Sequence, residues 1–348
     1  MEKPFLKNSH CNPVVLTTLT LLIFSTASDA QIGACYGTLG DNFPSPEDVI
    51  GLCRKSQISR IRIYNPNPAI LQALIPEISV IVGVDNGDIR GIASNPEMAK
   101  SWIQNNILRY KNANFSCIAV GNEISPLDSG GGSAAIAGSV VPAMKNIQAA
   151  LSAAGLAGKI KVSTVLSAAV LGNSYPPSAG VFRQEIQSSY IDPIIQFLAA
   201  NRGPFLANVY PYFAYIGQPE DIRLDYALFT SPAPVVKDGE YQYQNLFSAI
   251  VDAFNAALEK SGGAGLEVVV AETGWPTAGG TATSVENART YNTKLSEFVK
   301  KGTPRKPQKA IETYVFDLID EDLKNPEYEK HWGLFLPNKN PKYPMSFN

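Results

Sequence analysis

Leu266-Glu-Val-Val-Val-Ala-Glu-Thr-Gly-Trp-Pro-Thr-Ala-Gly-Gly280 is the stretch whose reading decides the fold. Val268 to Ala271 is an unbroken apolar run, the pattern of a strand buried on both faces in a parallel sheet. The run ends on a carboxylate, Glu272, and the chain then breaks at Thr-Gly-Trp-Pro. An isolated buried charge is strongly unfavourable, so an acid delivered to the end of a core strand must be paired, hydrogen-bonded or functional.

Seven further runs of the same character occur, giving expected strands at 32–36, 60–64, 79–84, 116–121, 160–165, 205–210, 267–272 and 311–316. Amphipathic stretches at 45–56, 95–110, 140–154, 243–260 and 284–301 read as helices between them. Ser45-Pro46 and Asn95-Pro96 supply a cap followed by proline, with acids in the first turn. Eight rounds of strand and helix predict an α/β fold, a (β/α)8 TIM barrel. The polar, irregular stretch 217–244 predicts a small subdomain inserted between strand 6 and strand 7.

Composition narrows the chemistry. Lys3 and Lys7, an apolar run from Val14 to Phe24 and small residues at Ser28 and Ala30 predict a secretory signal peptide over 1–30. Residues 31–348 are then a single catalytic domain. The formal net charge is −2, and the leader carries two acids and two bases, so its removal leaves the balance unchanged. With no basic excess, nucleic acid and anionic membrane are not expected partners. Three cysteines, Cys35, Cys53 and Cys117, follow the leader, an odd number that predicts buried free thiols and no disulfide scaffold. Only His331 follows it, so no metal site, cofactor or histidine-based triad is expected, and the chemistry falls to carboxylates. Ser129-Gly-Gly-Gly-Ser133 reads as a surface loop, since it lacks the strand–turn–helix context of a phosphate cradle.

In a barrel of this kind the chemistry sits at the C-terminal ends of the strands. Cys117-Ile-Ala-Val-Gly-Asn-Glu123 is a second apolar strand ending in an acid, so Glu123 and Glu272 can face each other across the barrel mouth. Two carboxyl groups flanking a bond, one protonated and one ionised, are what glycoside hydrolysis requires.

The 266–280 run, the Gly-Asn-Glu of the fourth strand, Cys35-Tyr36-Gly37, Asn208-Val-Tyr-Pro-Tyr-Phe213, and the block from Phe316 through Glu321 and Lys324 to Glu329 and Gly333-Leu-Phe resemble the signature of glycoside hydrolase family 17, the plant endo-β-1,3-glucanases. The resemblance covers almost all of residues 31–348. It implies a retaining glucanase acting on callose or fungal wall glucan in defence or wall remodelling, with Glu123 as acid/base and Glu272 as nucleophile. The alternatives are a mixed-linkage β-1,3-1,4-glucanase of the same family and a silent glucan-binding protein on the same fold. It further implies substrate contacts from Tyr36, Tyr64, Asn122, Asn208, Tyr210, Phe213, Trp275, Glu321, Lys324 and Glu329. Asp317 and Asp322 depart from the family pattern towards acid. The expected partner is a β-glucan polysaccharide bound by a monomer with no membrane anchor. The expected location is extracellular, in the apoplast or cell wall. Asn114-Phe-Ser116 is a glycosylation sequon.

Overall fold

Eight parallel strands close on themselves in chain order in the computed structural model, which describes residues 32–128 and 132–347. The expected leader and residues 129–131 of the glycine-rich loop lie outside the described residues. The strands are β1 (Ile32–Tyr36), β2 (Arg60–Ile63), β3 (Ser79–Val84), β4 (Asn114–Asn122), β5 (Lys161–Ser167), β6 (Phe205–Asn208), β7 (Val268–Thr273) and β8 (Thr313–Val315). Each lies within two residues of the run expected from sequence. β8 pairs with β1 in parallel, closing the barrel and leaving no edge strand. Val80, Ile81 and Val82 of β3 and Val268 to Ala271 of β7 are buried, as strands must be when the barrel interior covers one face and helices cover the other.

The helices start where local chemistry places them. Ser45 accepts a hydrogen bond from Asp48 N–H at the start of Pro46–Lys55, and Asn95 accepts one from Glu97 N–H at the start of Pro96–Ile103. Ser284 caps Val285–Phe298 in the same way. Among the described residues the three cysteines are buried free thiols, as the odd count implied.

Two excursions rise from the barrel. Between β6 and β7, helices Pro211–Gly217 and Leu224–Ala227 lead into an antiparallel hairpin, Val236–Asp238 with Tyr241–Tyr243, which is the expected subdomain. A second hairpin, Leu171–Asn173 with Val181–Phe182, lies between β5 and β6 and is too short to carry a periodic signal. Ser178 ties the two together, donating from its backbone N–H and its hydroxyl to the Asp238 carboxylate, both at 2.6 Å.

Both glutamate-bearing strands lose regular register just before the acid. The β4–β5 ladder shifts between Ala119 and Asn122, and β7 shifts against β6 and β8 beyond Val270. Such irregularities bend a strand and re-aim its side chains. At the first of them Gly121 has φ +81°, and a Cβ there would lie 2.4 Å from Ile124 Cδ1. Gly121→Ala is therefore expected to destabilise the protein by about 1–2 kcal/mol from the left-handed backbone alone, with activity falling in parallel. Thermal unfolding monitored by circular dichroism checks this.

Candidate active site

Glu272 lies at the C-terminal end of β7, one residue before Thr273, with only 7% of its surface exposed, and three side chains donate to it. Oε1 accepts from Arg62 Nη1 at 2.7 Å and from the Tyr64 hydroxyl at 2.9 Å, while Oε2 accepts from the Tyr210 hydroxyl at 2.8 Å. Burial first, with the adjacent Glu272 charge contributing, pushes both phenols well above their ordinary range, so both stay protonated donors.

Arg62 is the centre of this arrangement. It is almost wholly buried, standing inward from β2 between Ile61 and Ile63. Nη1 also donates to the Ala271 carbonyl at 3.0 Å and to Asn208 Oδ1 at 3.3 Å, and Nη2 donates to Asn122 Oδ1 at 2.6 Å. The register shift in β7 turns the Ala271 carbonyl inward, where the Cys35 thiol also donates to it at 3.4 Å. Burial opposes the guanidinium charge, but the Glu272 carboxylate 2.7 Å away holds Arg62 above its ordinary value.

Glu123 lies just past β4 with φ +51°, a backbone conformation that costs about 1–3 kcal/mol for a non-glycine residue. Its N–H donates to the Val165 carbonyl at 3.0 Å, which pins the turn to β5. Asn208 Nδ2 donates to Glu123 Oε1 at 2.8 Å. Asn208 and Arg62 thus form a hydrogen-bonded bridge from one glutamate to the other. Glu123 keeps an exposed surface in the cleft, yet the protein walls around its carboxyl exclude enough water to raise it above its usual range; the Glu272 charge adds to this, while the Asn208 bond and Arg62 partly oppose it.

These groups open into a cleft of about 800 Å³ across the barrel mouth. Of the residues singled out in the sequence, Tyr64, Asn122, Glu123, Asn208, Tyr210, Phe213, Glu272, Glu321, Lys324 and Glu329 line it. Lys324 Nζ lies 2.9 Å from Glu321 Oε2 and 3.9 Å from Glu329 Oε2, so the acidic loop after β8 is a charge network at the cleft wall.

Tyr36 and Trp275, expected as substrate contacts, do not line the cleft. Tyr36 is buried; it neighbours Cys53 and Glu47 on the helix Pro46–Lys55, outside the barrel, as well as Asp317 after β8. Alternation along β1 puts Cys35 inward and Tyr36 outward. Trp275 is fully buried, donating from Nε1 to the Ala282 carbonyl at 2.9 Å and packing on Tyr212 and Tyr291. Proximity to Glu272 in sequence does not put its ring in the cleft.

Sequence reading missed Arg62, Phe316 and Trp332. Arg62 had a signal, since a charge at the middle of an apolar barrel strand must be paired inside. Phe316 and Trp332 line the cleft with their ring centroids 5.8 Å apart, and Trp332 lies 5.3 Å from Tyr210. Only the folding of the segment after β8 against the strand 6 loop reveals that wall. Another cavity, of about 460 Å³, lies at the opposite end of the barrel, by Ser116, Cys117 and Lys161, remote from both glutamates.

A closed parallel barrel with two acids at strand ends, beside an aromatic wall, has the layout of a carboxylate-dependent glycosidase. The chain belongs to the glycosyl hydrolases family 17, whose model matches residues 32–347. It is 52% identical to a glucan endo-1,3-beta-glucosidase of Vitis vinifera over 340 residues, covering 96% of this chain and 97% of that protein. It is 48% identical to the basic vacuolar isoform GLB of glucan endo-1,3-beta-glucosidase from Nicotiana tabacum, over 98% of this chain and 93% of that one. The structure of CJP38, a beta-1,3-glucanase and allergen of Cryptomeria japonica pollen, superposes with a TM-score of 0.87 at 44% identity, covering 91% of this chain and 99% of that one.

Removing one partner of a buried ion pair leaves an uncompensated charge and costs about 3–5 kcal/mol. Arg62→Met is therefore expected to lower stability by that amount and to abolish measurable turnover. Denaturant unfolding checks the first effect, and an activity assay on the surviving folded fraction checks the second.

Proposed function

We propose that this protein is an endo-β-1,3-glucanase that hydrolyses internal bonds by a retaining double displacement. The observation that carries the reading is the unequal treatment of the two acids. Glu272 is buried and fixed by three donors, while the cleft walls and the Glu272 charge favour a proton on the more open Glu123.

In the first step Glu123 gives its proton to the glycosidic oxygen as it leaves, and Glu272 Oε attacks the anomeric carbon. The product is a covalent glycosyl-enzyme and a shortened glucan. Esterified Glu272 no longer carries a charge, so one of the influences raising Glu123 disappears and Glu123 can accept a proton. It does so from water, whose oxygen displaces Glu272 and restores the starting state with the original anomeric configuration. Asn122, fixed by Arg62, is suited to meeting a sugar hydroxyl. The rings of Tyr210, Phe213, Phe316 and Trp332 offer faces for sugar C–H groups. Leu39, Ala168, Ala214 and Ile250 also line the cleft, whose volume of about 800 Å³ leaves room for more than one sugar unit.

We assign the substrate to linear β-1,3-glucan, callose or a fungal wall glucan, met after passage through the secretory pathway. The names of the Vitis vinifera and Cryptomeria japonica relatives support the linkage. Among the described residues no helix is long and apolar enough to cross a membrane.

Reducing ends should be released from linear β-1,3-glucan as a ladder of oligosaccharides, with mixed-linkage glucan cut much more slowly. Faster cleavage of the mixed-linkage polymer would reassign the substrate, since a related pair of plant beta-glucan endohydrolases is described as having distinct substrate specificities. Glu123→Gln and Glu272→Gln should each lose at least about 10²-fold in kcat while remaining folded. NMR of the first-formed sugar should show the β anomer, and an α product would exclude retention.

The Asn208 hydrogen bond lowers the Glu123 value, because it favours the ionised carboxylate. Asn208→Ala removes that influence, so the acid should keep its proton to higher pH. The alkaline limb of kcat/KM should move upward while the maximum falls, and a limb moving downward would contradict the role given to Glu123.

A further inference from the structure

Asp317 has no part in the mechanism above, although it is buried immediately after Phe316 of the cleft wall. Its Oδ1 accepts from Gly37 N–H at 3.2 Å and from Leu318 N–H at 2.6 Å. Its Oδ2 is buried and receives no donor. Glu321 is buried beside it, with Oε1 accepting from Leu39 N–H at 2.7 Å and Oε2 2.9 Å from Lys324 Nζ.

The two carboxyls converge on the space that Gly37 leaves empty. A Cβ on Gly37 would lie 2.3 Å from Glu321 Oε1 and 2.6 Å from Asp317 Oδ2. Glu321 Oε1 and Asp317 Oδ2 thus both lie within 2.6 Å of one point. Ionised carboxylates are acceptors only, so two of them cannot bond to one another. A single proton between them supplies the missing donor and removes one of two adjacent buried charges.

We propose that Asp317 and Glu321 share one proton, and that Asp317 is thereby a positioning residue that fixes Glu321 and, through it, Lys324 at the cleft wall. The pair then carries one negative charge beside Lys324, which Glu329 also faces at 3.9 Å. The other titratable groups facing Asp317 are Cys35 and Tyr36 from β1 and Lys342 from the C-terminal segment. Burial and then the Glu321 charge hold Asp317 well above the usual carboxylate range, with Lys324 partly opposing them.

The positioning role rests on the reading of the cleft as a glucan site, while the shared proton does not. An acid whose folded value is raised contributes most to stability below its unfolded value, about 3.9 for Asp. That contribution is lost as pH rises towards the folded value. Tm of the wild type should therefore fall with pH from about 4 upward, and Asp317→Asn, which does not titrate, should show a shallower fall. The amide of Asp317→Asn can donate to Glu321 as the shared proton does, so its kcat and KM on linear β-1,3-glucan should stay within about threefold of wild type. Asp317→Ala offers no donor, and its KM should rise about tenfold with kcat much less changed, the effect of one lost buried hydrogen bond.

The same slope of Tm with pH in wild type and Asp317→Asn would overturn the shared proton. Equal kinetics for the Asn and Ala variants would overturn the positioning role. If Asp317→Ala does not fold, the melting slope and the kinetics of Asp317→Asn decide both points. A wild type inactive on every glucan would sink the functional reading but leave the melting slope to judge the proton.

Discussion

The ion pair between Arg62 and Glu272 is the constraint around which the barrel mouth is built. A guanidinium buried this deeply needs acceptors from every side, and they come from β4, β6 and β7 at once: Asn122, Asn208, the Ala271 carbonyl and Glu272. Moving any one strand end would leave a donor unmet in a low-dielectric interior, at a cost comparable to a lost hydrogen bond or more. The irregular register of β7 belongs to the same solution, because it points a backbone carbonyl at Arg62 where a regular ladder would have used it between strands. The site is rigid because its cation is buried.

Glu123 shows how that rigidity serves chemistry. It sits on a strained turn held by Val165 and receives its side-chain hydrogen bond from Asn208, which Arg62 also holds. The position of the second acid therefore depends on the pair that orients the first. Water excluded by the cleft walls and the neighbouring negative charge push Glu123 towards its protonated form, whereas Glu272 is held in place by three donors.

Much of this was legible in the chain. The eight strands announce themselves because parallel barrel strands are apolar on both faces, and the two acids stand out because they interrupt that pattern at its ends. The aromatic residues were harder to place. Tyr36 and Trp275 lie within family motifs in sequence, but strand alternation sends one towards the helices, and the turn after β7 sends the other into the core. Trp332 lies far from both glutamates in sequence and still reaches the cleft. Arg62 was readable in principle, since Arg60-Ile-Arg62-Ile-Tyr64 alternates polar and apolar residues in a strand that otherwise has no reason to carry charge. The hairpin between β5 and β6 was not readable, because strands of two or three residues have no periodicity.

The loop after β1 is fastened to the loop after β8. Gly37 N–H bonds to Asp317, Leu39 N–H to Glu321, Asp41 N–H to Asp322, and Leu323 N–H returns to the Leu39 carbonyl. Segments about 280 residues apart are thus latched at the working end of the barrel. A ribosome must release nearly the entire chain before the first strand meets the last, and contacts of such long range form slowly. A nascent or truncated chain has no closed barrel and no complete cleft. Competence to cut glucan therefore arrives only with the finished molecule, a timing set by topology.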